Sequence, residues 1–382
     1  MSVQTRPAHP TADAAGAESP IRLMLVDDSA AIRAAERRLL GSEPGISIIA
    51  SVGNGQQAVE ALKRNAVEVV VLDIEMPVMD GLTALPKLLA ADPELKIIMA
   101  SALTLAGAEV SMQALALGAA DYLPKPSNAG ALTGAGDFKR GLVEKILALG
   151  RARRRRLALP TVRVTAAGKL GAVRVAGPAP FALRAPGIKP VEALVIGSST
   201  GGPQALLKLL GDLKTNVRVP ILITQHMPPT FTGILAHHLS KASGVPAAEA
   251  RDGETIVAGR IYVAPGNYHM FVERTDRKRV IRLRQTPPEN FCRPAVDPML
   301  RSLTEAYDGK LLVVILTGMG QDGMQGARAA VAAGATVIAQ DEASSVVWGM
   351  PGAVATAGLA SAVLPLDRLA RHVLESLGGA RT

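Results

Sequence analysis

Residues Gly197, Ser198, Ser199, Thr200 and Gly201 fit the pattern G-x-S-x-G around Ser199, between the apolar run VEALVI and the helix-like GGPQALLKLL. Small neighbours let such a serine stand on a tight, exposed strand-to-helix turn, where N–H groups at the helix start can stabilise an oxyanion. The chemistry this predicts is acyl transfer, with Ser199 rather than Ser198 as nucleophile. A turn that merely caps a helix, or one that cradles a phosphate, has similar composition. The P-loop form of the phosphate reading fails, because no Gly-Lys-Ser/Thr follows. A serine needs a base and the base needs an orienting partner. His226 in ITQHMPP directly ends the next apolar run, and Asp322 in LTGMGQDG follows a later one. The same segment contains G-x-G-x-x-G at Gly318, Gly320 and Gly323, with Asp341 beyond it, a match to the dinucleotide fingerprint. Asp322 argues against that use, since its carboxylate would face a pyrophosphate at a helix N-terminus.

A second group of polar residues ends apolar runs nearer the front of the chain. Asp27 and Asp28 follow the first run, Asp73 the third, Ser101 the fourth and Lys125 the fifth. Any one aspartate here could be a helix cap. Three carboxylates at one sheet edge repel each other unless a hard cation sits among them, and Mg²⁺ with oxygen ligands fits.

These residues need two α/β halves to position them. In the first, IRLMLV, ISIIAS, EVVVLD, KIIMAS and AADYLP alternate with helical patterns beginning near Ala30, Gln56, Leu82, Gly107 and Asp137. Five such units predict a doubly wound, five-stranded parallel sheet whose ligand site lies at the carboxyl ends of the strands. From residue 190 strand-like and helical runs alternate again, predicting a second, mainly parallel sheet flanked by helices, with an exposed hairpin around HMFVERTDRKRVIRLRQ.

Composition bounds the rest. With 48% hydrophobic and 20% charged residues the chain is globular, and its 382 residues suit two or three domains. One cysteine, Cys292, excludes an intramolecular disulfide framework and suits a reducing compartment. No run is long and apolar enough to span a membrane, and the first twenty residues lack the apolar core of a signal peptide. The expected location is the cytoplasm. The net charge of +9 sits in residues 151–190, which hold ten Lys or Arg and no acid. The expected layout is a disordered tail over 1–20, a first domain over 21–149, a basic Pro/Gly/Ala-rich linker over 150–189 and a second domain over 190–382. A solvated linker explains the charge without nucleic acid, although an anionic partner would also meet it.

Through VDDS, LDIEMPVMDG, MASA and the Lys125-Pro126 pair, residues 21–149 resemble the response-regulator receiver family. The resemblance implies that Asp73 accepts a phosphoryl group from a chemotaxis histidine kinase. It also implies that Asp28, Asp73 and the Glu75 carbonyl hold Mg²⁺ with help from Asp27, and that Ser101 and Lys125 contact the phosphoryl oxygens. Through VIGSSTGGP, TQHMPPTFT, YVAPGNYHM, RPAVDPML, LTGMGQDG and DEASSVVWGMP, residues 190 to about 378 resemble the catalytic domain of the chemotaxis protein-glutamate methylesterases. That resemblance implies Ser199 as nucleophile, His226 as general base and acid, Asp322 as orienter, and Thr200 and Met319 as support around the oxyanion and the histidine. The implied reaction is hydrolysis of glutamyl methyl esters on methyl-accepting chemoreceptors by a monomer gated by its receiver. Deamidation of receptor glutamines is a second implied activity, and the catalytic domain is expected to use no cofactor. The family often has histidine where Cys292 stands, and the thiol is read as buried or a spectator. A catalytically silent receptor-binding regulator, or a nucleotide-dependent oxidoreductase, are the competing classes.

Overall fold

Five short apolar runs build the first sheet. In this computed structural model, which describes residues 19–102, 104–125, 136–158 and 181–378, they are β1 (Ile21–Val26), β2 (Ile46–Val52), β3 (Val69–Asp73), β4 (Lys96–Ala102) and β5 (Asp121–Lys125). Their order is β2-β1-β3-β4-β5, every ladder parallel. Interleaved are α1 (Ala30–Leu40), α2 (Gly55–Arg64), α3 (Gly81–Ala91), α4 (Leu105–Ala116) and α5 (Gly136–Ala158). The first four begin at a side chain that accepts an orphan N–H of the opening turn: Ser29 from Ile32, Asn54 from Gln57, Asp80 from Thr83 and Thr104 from Gly107. The strand order reverses between β1 and β3, so a crevice opens where Asp27, Asp28 and Asp73 end those strands.

The arginine run assigned to the start of a linker is helical instead, since α5 continues to Ala158. Acids in the loops of the first half hold it there: Arg153 bonds Asp92 at 2.6 Å, Arg154 bonds Glu68 at 2.6 and 2.7 Å, and Arg156 lies 3.2 Å from Glu94. Pro126, most of the leading tail and residues 159–180 of the expected linker lie outside the described residues.

The second half contains β6 (Ala193–Ser198), α6 (Gly202–Leu213), β7 (Ile221–Gln225), α7 (Phe231–Ser243), β8 (Ala247–Glu249), β9 (Ile261–Val263), β10 (His269–Thr275), β11 (Lys278–Arg284), α8 (Val296–Ala306), β12 (Leu311–Ile315), α9 (Met324–Ala332), β13 (Thr336–Gln340), α10 (Met350–Thr356), β14 (Ala362–Leu364) and α11 (Leu366–Gly378). Seven strands form one parallel sheet in the order β14-β13-β12-β6-β7-β9-β8, and β10 pairs antiparallel with β11 as the expected hairpin. The central strands β6, β7, β12 and β13 are buried throughout, which is why they read as unbroken apolar runs. The chain enters at β6 and later crosses to β12 on its other side, so the crevice of this sheet opens at the ends of β6 and β12.

The two halves share a continuous apolar core. Helix α4 lies against α6 and α7, and Tyr122 of β5 stacks on Phe231 of α7 with ring centroids 4.5 Å apart. Gln204 of α6 donates to the Ala119 carbonyl at 2.7 Å. Among the described residues no helix is long and apolar enough to cross a membrane.

Candidate active site

Ser199 sits one residue beyond β6, and the turn after it is made by contacts only glycine permits. Gly201 has φ +75°, and a Cβ on Gly202 would lie 2.0 Å from Gln225 Oε1. That close approach lets Gln225 accept from the Ser198 hydroxyl at 2.7 Å and donate to the Ser199 carbonyl at 2.9 Å. Ser198 is thereby buried and committed, while Ser199 lines a cavity of about 1000 Å³. His226, the first residue after β7, and Asp322, in the loop after β12, line the same cavity with Thr200 and Met319. Among the described residues neither the Thr200 nor the Met319 N–H is spent on a hydrogen bond.

His226 Nε2 lies 2.7 Å from Asp322 Oδ2. The carboxylate is saturated: Oδ2 also accepts from Val296 N at 2.5 Å, and Oδ1 accepts from Asp297 N, Gly323 N and Asn290 Nδ2 at 3.0, 2.9 and 3.1 Å. Val296 and Asp297 open α8, so Asp322 caps that helix from outside it, and the positive helix end holds the charge. Burial would push the Asp322 carboxyl up, but the bonds from His226, Val296 and Asp297 outweigh it and hold the group below the usual carboxylate range. The same carboxylate puts a buried negative charge at the G-x-G-x-x-G loop, which disfavours a pyrophosphate there. Asp297 packs behind, raised to about 6 by burial and by the Asp322 charge.

Asp27, Asp28 and Asp73 meet at the crevice of the first sheet, with carboxylate oxygens within 4.8 Å of one another. Lys125 at the end of β5 pairs with Asp27, and with Asp73 at 2.7 Å. Burial raises the Asp73 carboxyl against the pull of Lys125. Three carboxylates with one side open to solvent at Asp28 suit a hard dication. Glu75 is exposed on the loop after β3. Ser101 is buried, its hydroxyl bonded to Ser111 at 2.8 Å.

Residues 194–373 match the family described as CheB methylesterase, and residues 23–135 the response regulator receiver domain. Over 368 residues the chain is 57% identical to a protein-glutamate methylesterase/protein-glutamine glutaminase of Paramagnetospirillum magneticum, covering 94% of this chain and 97% of that one. The chain belongs to the CheB methylesterase family. A relative of the same description from Azospirillum brasilense is 55% identical over 373 residues, covering 96% of this chain and 94% of its own. The crystal structure of the Thermotoga maritima CheB methylesterase catalytic domain is 42% identical, covers 48% of this chain and 98% of that chain, and superposes with a TM-score of 0.47.

Two features of this CheB methylesterase escape the sequence reading. The Thr200 hydroxyl points across the seam and donates to Asp121 Oδ2 of β5 at 2.7 Å, while Tyr122, Lys145 and Arg151 of the receiver line the wall of the catalytic cavity. Cys292, expected to be a spectator, has its sulfur 3.3 Å from His226 Nδ1. A thiol on an irregular loop leaves no periodic signal. The tight turn that places it shows only in the backbone, where Asn290 and Phe291 both have positive φ. Of the other described histidines, His237 and His238 are on α7, His372 is on α11, and His269 is buried between Ala295 N and the Pro287 carbonyl.

Proposed function

We propose that the chain is a receiver-gated serine esterase. It hydrolyses γ-methyl esters of glutamyl side chains on methyl-accepting chemoreceptors, releasing methanol, and deamidates receptor glutamines by the same acyl chemistry. The observation that carries this reading is the convergence of Ser199, His226 and Asp322 on one cavity walled by the receiver.

In this reading Ser199 Oγ attacks the ester carbonyl and its proton passes to the imidazole of His226. The N–H groups of Thr200 and Met319 stabilise the oxyanion. The C–O bond to the methoxy group breaks as His226 returns the proton, and methanol leaves. Water, deprotonated by His226, then attacks the acyl-serine, giving free glutamate and the serine hydroxyl. With glutamine the first leaving group is ammonia. Asp322 orients the ring throughout.

Asp73 is the phosphoryl acceptor from a chemotaxis histidine kinase, and Lys125 and Ser101 move onto the phosphoryl oxygens. Asp27, Asp28, Asp73 and the Glu75 carbonyl would hold Mg²⁺, which when bound offsets the charge gathered during transfer. Because Lys125 and Asp121 are the two ends of β5, a pull on Lys125 strains the bond that Thr200 donates to Asp121 and shifts the population toward an undocked receiver. The working form is a cytoplasmic monomer, with no membrane insertion and no nucleic acid partner. Methanol release from methylated receptor falls to background in Ser199→Ala and loses its response to phosphodonor in Asp73→Ala. Retained activity in the first variant overturns the triad.

A further inference from the structure

His226 has two ring nitrogens, and both are engaged. Nε2 faces Asp322 at 2.7 Å, so Nδ1 is the nitrogen left to serve Ser199, and that position is held by the Cys292 sulfur at 3.3 Å. One proton lies between Sγ and Nδ1. Whether the thiol donates it or the imidazolium does, Nδ1 has no free lone pair to take a proton from serine.

The local chain is built to put the sulfur there. Glu289 and Cys292 exchange backbone hydrogen bonds of 3.1 and 2.9 Å around Asn290 and Phe291. Both central residues have positive φ, 51° and 61°, as in a type I′ turn made without glycine. Strained backbone of this kind persists where the surroundings enforce it. Here Arg301 of α8 bonds Glu289 at 2.6 Å, and Asn290 Nδ2 reaches Asp322 and Asp297. The turn thus ties Cys292 to the same helix start that anchors Asp322.

We propose that Cys292 is a positioning residue for the base: its sulfur holds the Nδ1 edge of His226 in the receiver-docked state and withholds it from Ser199. The inference rests on the reading of His226 as the base of Ser199. It goes beyond that reading by naming what keeps the base silent. Burial opposes charge on the ring, yet its contacts with Cys292 and Asp322 outweigh it and raise His226 to about 10. The other charged groups around the cavity are Glu144, Lys145 and Arg151 of α5 and Arg293 beside the turn, with Asp297 behind Asp322.

The test uses the full-length chain and two variants, Cys292→Ala and Cys292→Ser. Serine keeps a hydroxyl beside Nδ1 but removes the sulfur. The first readout is the pH dependence of kcat/KM for methanol release from methylated receptor, whose acidic limb reports the free base. The second is the ¹⁵N NMR titration of the His226 ring in a Ser199→Ala background, which needs no activity. Both variants are expected to move the limb and the ring titration down by about one pH unit or more, roughly tenfold in kcat/KM on the limb. An unmoved limb and ring titration in both variants overturns the proposal, as does a Cys292→Ser profile that superposes on the unsubstituted chain. A ring titration that responds in a protein whose activity survives Ser199→Ala would refute the triad while leaving the sulfur–imidazole contact intact.

Discussion

Removing the Asp121 carboxylate should wake the esterase without phosphorylation. Asp121 is 5% exposed and Thr200 3% exposed, so the 2.7 Å bond between them is shielded from water. Lys145 also pairs with Asp121, but both belong to the receiver and stay together when it lifts. Of these two Asp121 contacts, only the one with Thr200 is lost on undocking. A hydrogen bond to a charged group contributes about 1.5–3 kcal/mol. At about 1.4 kcal/mol per factor of ten, Asp121→Ala shifts the docked-to-undocked ratio by roughly 10- to 100-fold. Asp121→Asn keeps an acceptor without the charge and should fall between. The assay is methanol release from methylated receptor with no phosphodonor present. The basal rate should rise in the order unsubstituted, Asn, Ala, up to a ceiling at the rate of the fully phosphorylated chain. An Asp121→Ala protein that still answers to phosphodonor but has an unchanged basal rate would refute the reasoning, because the receiver would be sound and the bond irrelevant to docking.

Three further outcomes follow from the two sites. Asp322→Asn should lower kcat about 10³- to 10⁴-fold in the same assay by misplacing the ring proton. It should also remove stability at neutral pH that the unsubstituted chain loses as pH falls through the depressed Asp322 value, seen as a converging Tm below pH 4. Glu36 is buried beside Asp27 and Asp73 and raised to about 7 from 4.5. Between those values the native state holds a proton the unfolded chain has shed, so stability falls as pH rises, by about 3 kcal/mol in all. Urea titrations at pH 5 and pH 8 without divalent ions should show a drop larger by about that amount in the unsubstituted chain than in Glu36→Gln, in which the raised Asp297 and His226 still titrate. Chelation with EDTA should abolish the gain on adding phosphodonor while leaving the basal methanol rate unchanged, since the acidic pocket belongs to the other sheet.

Parallel sheets make sites legible, because successive strands deliver their last residues to one edge. That is why Ser199, His226 and Asp322 could be grouped from their places after apolar runs, and why Asp27, Asp28, Asp73 and Lys125 could be grouped likewise. What escaped lacks such a frame. Cys292 rides on a turn whose positive φ values have no glycine to announce them. The Asp121 contact joins residues 79 positions apart across two modules, and an aspartate opening a strand carries no sign of its partner. The arginine run of α5 looked like linker because its charge was counted without Asp92, Glu68 and Glu94, which lie far back in the sequence.

The seam between the modules is apolar as well as hydrogen-bonded, with Tyr122 stacked on Phe231 and a core running unbroken from one sheet to the other. Lifting the receiver wets that surface, so the opened enzyme has the higher heat capacity. Apolar association weakens on cooling. The latch on this esterase is therefore a thermometer too: at low temperature more of the unphosphorylated population stands open, and the contrast between resting and signalled states narrows.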